Sequence, residues 1–565
     1  MHQLTGAELI VNILEAHQVR IVSGIPGASN LPLYDVLAQT PSIRHVLARH
    51  EQGAGFIAQG MARVTGRPAV CLTTSGPGAT NLMTAIADAK LDSVPLVAIT
   101  GQVPRTMIGT DAFQEVDTYG MSIPITKHNF LVRSAQELAE VLPEAFHIAS
   151  SGRKGPVLVD IPKDLLTETV TLADFHSLGP KPSQSVAEPE SVLVAEAAEL
   201  INQAERPILY VGGGVTQAEA AFAVLQLAEK ASIPVTMTLM ALGTLPAGHP
   251  LSLGMLGMHG SREANLLLDE CDLLIAAGVR FDDRATGKLS EFCPQAKVIH
   301  IDIDAGELNK LKQAQVPIRG DVRTVLERVN ELVEPKKREE WLQRVEELRE
   351  RFSSPVRDSN NPRSPQTLIR MVAQAAGSNT IVTTDVGQHQ MWVAQTYPFT
   401  RPRQLLTSGG LGTMGFGLPA AIGAALAAPE RTVVCFSGDG SLLMNLQEMA
   451  TAVDEQVNVK IVLLNNQSLG MVRQHQVMFY DGRVFATEFP RAVDFCGIAR
   501  SFGLNVFDLA DSTAPWKTLQ QAFREEGPCL IHAPIEATEH VYPIVPPGNA
   551  NRSMIGDENY EPAYA

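Results

Sequence analysis

Short apolar, β-branched runs recur along the chain, each followed by a stretch of helical periodicity. They include VRIVSGI, PAVCLTT, PLVAITG, PVLVDIP, PILYVGG, LLIAAGV, KVIHIDI, TVVCFSG, VKIVLLNN and CLIHAPI. Strands apolar on both faces and separated by helices predict parallel sheets covered on both sides. Two polar stretches break the rhythm. One runs from Leu172 to Glu190; the other, Ser353 to Pro365, follows the charged helix pattern KKREEWLQRVEELRER. Both read as surface linkers. They divide the chain into three α/β units of ordinary domain size, each a doubly wound parallel sheet, over 1–171, 190–335 and 366–545, with a polar tail over 546–565. The opening MHQLTGAELIVNILEAH has acidic residues inside its apolar periodicity and predicts an amphipathic helix rather than a signal peptide.

Composition narrows the function classes. The chain has 565 residues, too many for a single core, and a formal net charge of -16. Such an acidic chain is a poor binder of nucleic acid or anionic membranes, which need clustered Lys and Arg. No apolar run reaches the roughly 18 residues of a membrane span. The six cysteines (Cys71, Cys271, Cys293, Cys435, Cys496 and Cys529) are scattered, without a CxxC, and read as buried reduced thiols of a cytoplasmic protein.

One stretch carries specific chemistry. In CFSGDGSLLMNLQEM, Asp439 stands between Gly438 and Gly440 at the end of an apolar strand, before a helix starting near Ser441. Parallel sheets bind ligands beyond such strand ends. The glycines let the backbone approach closely, and a helix start offers free N–H groups to an anion. A second strand, VKIVLLNN, ends at Asn465 and Asn466, one helix and one strand further on. Asp439 and Asn466 together supply hard oxygen ligands, suited to Mg²⁺ bridging a diphosphate.

GDGS…NN resembles the metal–diphosphate motif of thiamine diphosphate enzymes. The resemblance implies Asp439, Asn466 and the Ser468 carbonyl as Mg²⁺ ligands. It also implies cofactor contacts from Gly387, Gln388 and His389 in DVGQHQMW, from Gly438, Gly440 and Ser441, and from Met414, Met444 and Met471. Read alone, His389 could be a structural histidine and Met414 core packing. Glu51, in LARHEQGAGFIAQGMAR, read alone is a helix-start charge favourable to the dipole. The resemblance makes it the carboxylate that bonds N1′ of the thiamine aminopyrimidine, a task that calls for a dry site. TSGPGATN, with Pro77 and Asn81, lines the same cleft by resemblance and lacks the Lys-Ser/Thr of a P-loop. The family builds each site from the first domain of one subunit and the third of another, so at least a dimer is implied.

Nearly the whole chain resembles the acetohydroxyacid synthase (acetolactate synthase) catalytic subunit family. GTDAFQE places Phe113 and Gln114 in the substrate cleft, PVLVDIPKD places Lys163 at its mouth, and LGMLGMHG supplies Met258 and His259. GVRFDDRATG supplies Gly278, Arg280, Asp282 and Arg284. The central unit resembles a Rossmann-like FAD domain. Its contacts would be Arg153, Gly212, Gly213, Gly214, Thr238, Leu239, Met240, His259, Asp302 and Asp321, with the flavin mainly structural. The first and third units would then be the pyrimidine-binding and diphosphate-binding domains, and the tail a closing lid.

The implied reaction decarboxylates pyruvate and ligates the two-carbon unit to a second 2-keto acid, pyruvate or 2-ketobutyrate. This is the first common step of valine, leucine and isoleucine biosynthesis. Arg284 would pair with the second substrate's carboxylate, unless it pairs with Asp282 or Asp283. Gln114 would orient intermediates. His475 stands where many members carry tryptophan, which predicts weaker discrimination between the two acceptors. Ala28 replaces a usual glycine in GIPGASN, a change that should be tolerable. The family also pairs with a small regulatory subunit. Rival readings are another thiamine carboligase, a pyruvate oxidase, a nicotinamide dehydrogenase built on the central unit, and a silent FAD-binding scaffold.

Overall fold

Three six-stranded, all-parallel sheets carry the structure, and each apolar run named above forms one of their strands. The computed structural model describes residues 2–172, 178–181, 188–352 and 361–556. Much of both linkers and the end of the tail lie outside these residues. In the first domain the sheet order across space is Arg44–Leu47, Ile21–Gly24, Ala69–Thr73, Leu96–Gln102, Pro156–Pro162, His128–Leu131. The third repeats that order with Leu405–Leu406, Thr380–Thr384, Thr432–Gly438, Val459–Asn465, Cys529–Pro534, Asn505–Asp508. The central domain differs: Ser252–Met255, Val235–Met237, Pro207–Val211, Leu273–Ala277, Lys297–Asp302, Val316–Arg319, the dinucleotide-binding order.

In each order the connections run outward in both directions from one neighbouring pair of strands, and a crevice opens beyond the strand ends at that point. In the third domain the reversal lies between Thr380–Thr384 and Thr432–Gly438. In the central domain it lies between Pro207–Val211 and Leu273–Ala277. In the first it lies between Ile21–Gly24 and Ala69–Thr73.

The first helix, Gly6–Ala16, opens with a capping box between Thr5 and Glu8, so Glu8 serves the helix start. A short antiparallel ribbon, His2–Thr5 with Thr169–Leu172, ties the ends of the first domain together. The charged helix Glu339–Phe352 buries Trp341, Val345 and Leu348 in the same cluster as Tyr210 and Phe281, so it packs on the central domain. The first and third domains share one apolar cluster. Helices Glu51–Thr65 and Gly417–Ala427 cross there closely enough that a Cβ on Gly423 would sit 1.9 Å from the Ile57 carbonyl oxygen. Phe56 meets Phe416 edge-on at 5.3 Å beside that crossing. All six cysteines are buried free thiols. No described helix is long and apolar enough to cross a membrane.

Candidate functional site

The third domain's crevice holds a cavity of about 90 Å³. Its wall includes Gly387, Gln388, His389, Met414, Gly438, Asp439, Gly440, Ser441, Asn466, Ser468 and Met471. The strand runs to Gly438 and the helix begins at Asp439, not near Ser441. The extended Gly438 acts as helix cap, which puts the aspartate in the first turn, where a negative charge is favoured. The glycines are needed for space. A Cβ on Gly438 would come 3.0 Å from the His389 ring, and one on Gly440 2.7 Å from Leu469.

Three buried polar atoms here have no hydrogen-bond partner: Asp439 Oδ2, Ser468 Oγ and His389 Nε2. Orphaned buried polar atoms are costly, and three on one wall mark a ligand site. The Asp439 and Asn466 side chains and the Ser468 backbone supply hard oxygens, the donor set that suits Mg²⁺. Burial pushes the Asp439 carboxyl up to about 6, against the pull of neighbouring N–H groups. A divalent cation would reverse that cost. Burial drives His389 down to about 3, so the ring is neutral. Asn466 Nδ2 donates to Gln388 Oε1 at 3.2 Å, and Asn466 Oδ1 accepts from the Ser468 amide at 3.2 Å.

Behind this wall stand residues that sequence reasoning did not find. Asp385 is fully buried and accepts from the amides of Gly415 at 2.7 Å and Val386 at 3.2 Å, and from Ser437 Oγ at 3.2 Å. His532 bridges Asp508 (2.9 Å) and Asn465 (3.0 Å), bracing the turn that presents Asn466. Gln474 receives Gln388 Nε2 at 2.9 Å and donates to the Val541 carbonyl at 3.0 Å. Asp385 follows an apolar strand just as Asp439 does, a signal available in TTDVG but less distinct without a flanking glycine pair.

A second cavity, about 710 Å³, opens at the central domain's crevice. Arg153, Gly212, Gly213, Gly214, Thr238, Leu239, Met240, Gly278, Arg280, Asp282, Asp302 and Asp321 all line it. Gly214 and Gly278 pack backbone to backbone, and a Cβ on Gly214 would lie 2.6 Å from Gly278 Cα. Its volume, glycine turn and mixed charges fit a dinucleotide. Asp282 and Asp321 also cap helices. Burial raises Asp302 to about 6, and Arg153 pairs with Glu307 at 2.6 Å and Asp304 at 3.3 Å. The same cavity reaches Met258, His259, Arg284, His475, Gly387, Met414 and Met471, so it is continuous with the first cavity's wall. Burial drives His259 down to about 4.

The remaining candidates lie in the first domain, except Met444, which is on the third domain's helix Asp439–Asn445. Glu51 opens its helix and accepts from Asn81 Nδ2 at 3.0 Å. Pro77 starts the helix carrying Asn81. Gly76, at φ +59°, allows Gln114 to come close, and Gln114 itself is left-handed at φ +63°. Strain of that kind concentrates at functional sites. Lys163 is exposed just after strand Pro156–Pro162, and Phe113 is 87% exposed. Ala28 is exposed, with room for its methyl. None of Glu51, Pro77, Asn81, Phe113, Gln114, Lys163 or Met444 lines either cavity. The structure joins Glu51 to Asn81 and brings Gln114 to Gly76 in the first domain, and gathers the central and C-terminal candidates on connected cavity walls, while Phe113, Lys163 and Met444 line neither cavity. The described tail docks on the central domain: Asn551 Nδ2 donates to the Ala285 carbonyl at 2.9 Å, and Arg552 pairs with Asp269 and Glu291.

Residues 4–121 match the N-terminal TPP binding domain of thiamine pyrophosphate enzymes, residues 194–329 the central domain and residues 385–533 the C-terminal TPP binding domain. These matches, on three crevices of this architecture, define a thiamine pyrophosphate enzyme. The chain is 59% identical to the acetolactate synthase isozyme 1 large subunit of Escherichia coli (strain K12), over 98% of each chain. It is 47% identical to the isozyme 2 large subunit of the same organism, over 98% of this chain and 99% of the relative. It is 43% identical to a probable chloroplastic acetolactate synthase 2 of Oryza sativa subsp. japonica, over 100% of this chain and 88% of the relative. The chain belongs to the acetolactate synthase large-subunit family.

Proposed function

We propose that this chain is the catalytic subunit of an acetolactate synthase. It decarboxylates pyruvate and ligates the two-carbon unit to pyruvate or 2-ketobutyrate, giving acetolactate or acetohydroxybutyrate for branched-chain amino acid synthesis. The observation that carries the reading is the orphaned Asp439, Ser468 and His389 set at the third domain's crevice, in a chain of this family.

Thiamine diphosphate, when bound, supplies the carbon nucleophile and the electron sink for decarboxylation. Asp439, Asn466 and the Ser468 carbonyl would hold Mg²⁺, with Gly387, Gln388, His389, Gly438, Gly440 and Ser441 around the diphosphate end. Met414, Met444 and Met471 surround its organic part. Glu51 would be the carboxylate that holds a proton toward the aminopyrimidine ring nitrogen, and Pro77 and Asn81 would line that cleft. Because Glu51 does not line the cavity that holds Asp439, the complete site would form between two copies. Exposed apolar residues near the first-domain cluster, Met107, Ile108 and Phe113, and on the third domain, Met444, Tyr480 and Phe485, fit burial against a second copy. FAD would fit the central cavity as a structural group, held by the glycine turn, Arg153, Arg280 and the acidic strand ends. Phe113, Gln114 and Lys163 shape the substrate entrance. The buried free thiols suit a reducing cytoplasm. The relatives' large-subunit names support pairing with a small regulatory subunit.

The direct test is acetolactate formation from pyruvate with and without thiamine diphosphate and Mg²⁺. Product that requires both is expected; no product with both present overturns the reading.

Arg284 donates to the Met258 sulfur at 3.4 Å, and its ion pair with Asp283 is long, 3.8 Å, and exposed. So weak a pair leaves the guanidinium fork uncommitted. Arg284→Ala is expected to raise the KM for the acceptor keto acid by about 10- to 100-fold, the worth of a charged hydrogen bond. An unchanged KM removes that role. His475 lies on the same cavity wall, with Nε2 buried and unpartnered and its ring edge-on to Phe479 at 5.6 Å. Burial, then the charge of Arg284, lowers its pKa. A neutral imidazole covers less apolar surface than an indole and packs less well on an extra methyl. His475→Trp is expected to raise the 2-ketobutyrate preference in acceptor competition by about tenfold or more. A strong 2-ketobutyrate bias before substitution would contradict this account of His475.

A further inference from the structure

A buried acid pair lies outside the roles assigned so far. Asp88 and Asp92 sit one turn apart at the end of the helix that begins at Pro77, Asp92 being its C-cap. Their charges repel, an arrangement disfavoured on an isolated helix. One guanidinium answers them: Arg63 Nη2 lies 3.2 Å from Asp88 Oδ2 and 2.9 Å from Asp92 Oδ2. Gln59 Oε1 accepts from the same Nη2 at 2.9 Å and from Nε at 3.3 Å, and the Phe416 ring lies 5.0 Å from the guanidinium. One cation does not balance two buried carboxylates, and burial with Asp92 alongside pushes the Asp88 carboxyl up.

The remaining compensation comes from another domain. The amides of Gly409 and Gly410 donate to Asp92 at 3.0 and 2.7 Å. Ser408 Oγ donates to Asp88, and Thr413 Oγ1 donates to the same oxygen at 3.1 Å. Ser408 Oγ in turn accepts from the Thr413 amide at 2.8 Å, closing the loop on itself. This 408–413 loop leads directly to Met414. On its far side, Asp385 holds the Gly415 amide at 2.7 Å.

We infer that Asp88 and Asp92, with Arg63, are positioning residues that set the Met414 loop from the first domain of the same chain. The helices that bear them begin at Glu51 and Pro77. One rigid pair of helices thus presents the first-domain cluster at one end and clamps the C-terminal loop at the other. The charge imbalance makes the clamp strong, because a displaced loop leaves a buried carboxylate without its donors. Packing alone would explain an apolar contact here, not four donors converging on two acids.

The inference rests on the reading that Met414 contacts thiamine diphosphate. Trp392 lines the C-terminal cavity, so its fluorescence reports cofactor binding directly in the full-length protein. Thiamine diphosphate with Mg²⁺ is titrated into the starting protein and into Ser408→Ala, Asp88→Asn and Met414→Ala. Ser408→Ala removes one hydroxyl and is the variant least disposed to unfold. Loss of a hydrogen bond to a charged group corresponds to about 10- to 100-fold weaker cofactor binding. That loss is expected in Ser408→Ala and Asp88→Asn, and Ser408→Thr, which keeps the hydroxyl, is expected to restore affinity. If Met414→Ala binds weakly while Ser408→Ala and Asp88→Asn bind like the starting protein, the positioning role is overturned and the reading of Met414 stands. Lower melting temperatures with unchanged affinity count the same way. If Met414→Ala itself binds the cofactor normally, the reading of Met414 fails and the inference with it.

Discussion

Replacing Glu51 with glutamine is expected to lower kcat for acetolactate formation on the order of 10²–10⁴-fold, the contribution of a positioned proton-transfer group. Thiamine diphosphate binding, which depends mainly on the diphosphate end, should change much less. The geometry supports this split. Glu51 lies away from the cavity that holds Asp439, at a helix start where its carboxylate accepts from Asn81. A glutamine side chain there keeps the shape and a bond to Asn81 but cannot hold the charge. Pre-steady-state exchange of the cofactor's acidic carbon-bound proton with deuterium checks the assignment separately from turnover. The glutamine variant should exchange slowly. Normal exchange with slow turnover would place Glu51 in a later step.

The second large effect is expected from Asp439→Ala. Asp439 is the only carboxylate among the described residues lining the small cavity. Without it, Asn466, Ser468 and the backbone present neutral oxygens to a divalent cation. Removing one member of a buried charge pair predicts on the order of 10²–10³-fold weaker Mg²⁺-dependent binding of thiamine diphosphate. Trp392 fluorescence or calorimetry measures this directly. Flavin content should not change, because Asp439 does not line the central cavity. Loss of both cofactors together would indicate a folding defect instead.

Much of this architecture was legible in the apolar runs. Central parallel strands are buried on both faces, so VVCFS, IVLLN and VAITG leave no ambiguity of period. The edge strands are harder. Arg44–Leu47 and Asn505–Asp508 are short and half exposed, and their composition resembles loop. The shared strand order of the first and third domains was invisible, because topology leaves no sequence periodicity. At the site, GDG and NN were readable because a strand end that opens on a ligand crevice needs special residues. Their braces were not: Asp385, Asp508 and His532 act through partners distant in the chain. Asp88 and Asp92 look like a solvated pair in TAIADAKLD, and only the fold places the 408–413 loop against them. The like charges one turn apart were the available hint.

The division of the site between two chains remains the central claim, and subunit complementation tests it most directly. Glu51→Gln and Asp439→Ala chains, each nearly inactive, are produced separately, then mixed after dissociation or co-expressed. In a mixed dimer one site receives Glu51 from the Asp439→Ala chain and Asp439 from the Glu51→Gln chain, and is intact. Random pairing is then expected to restore about one quarter of the starting activity. Mixtures that stay as inactive as the separate chains, despite shown exchange of subunits, would mean that Glu51 and Asp439 serve the same chain, and would contradict the shared site.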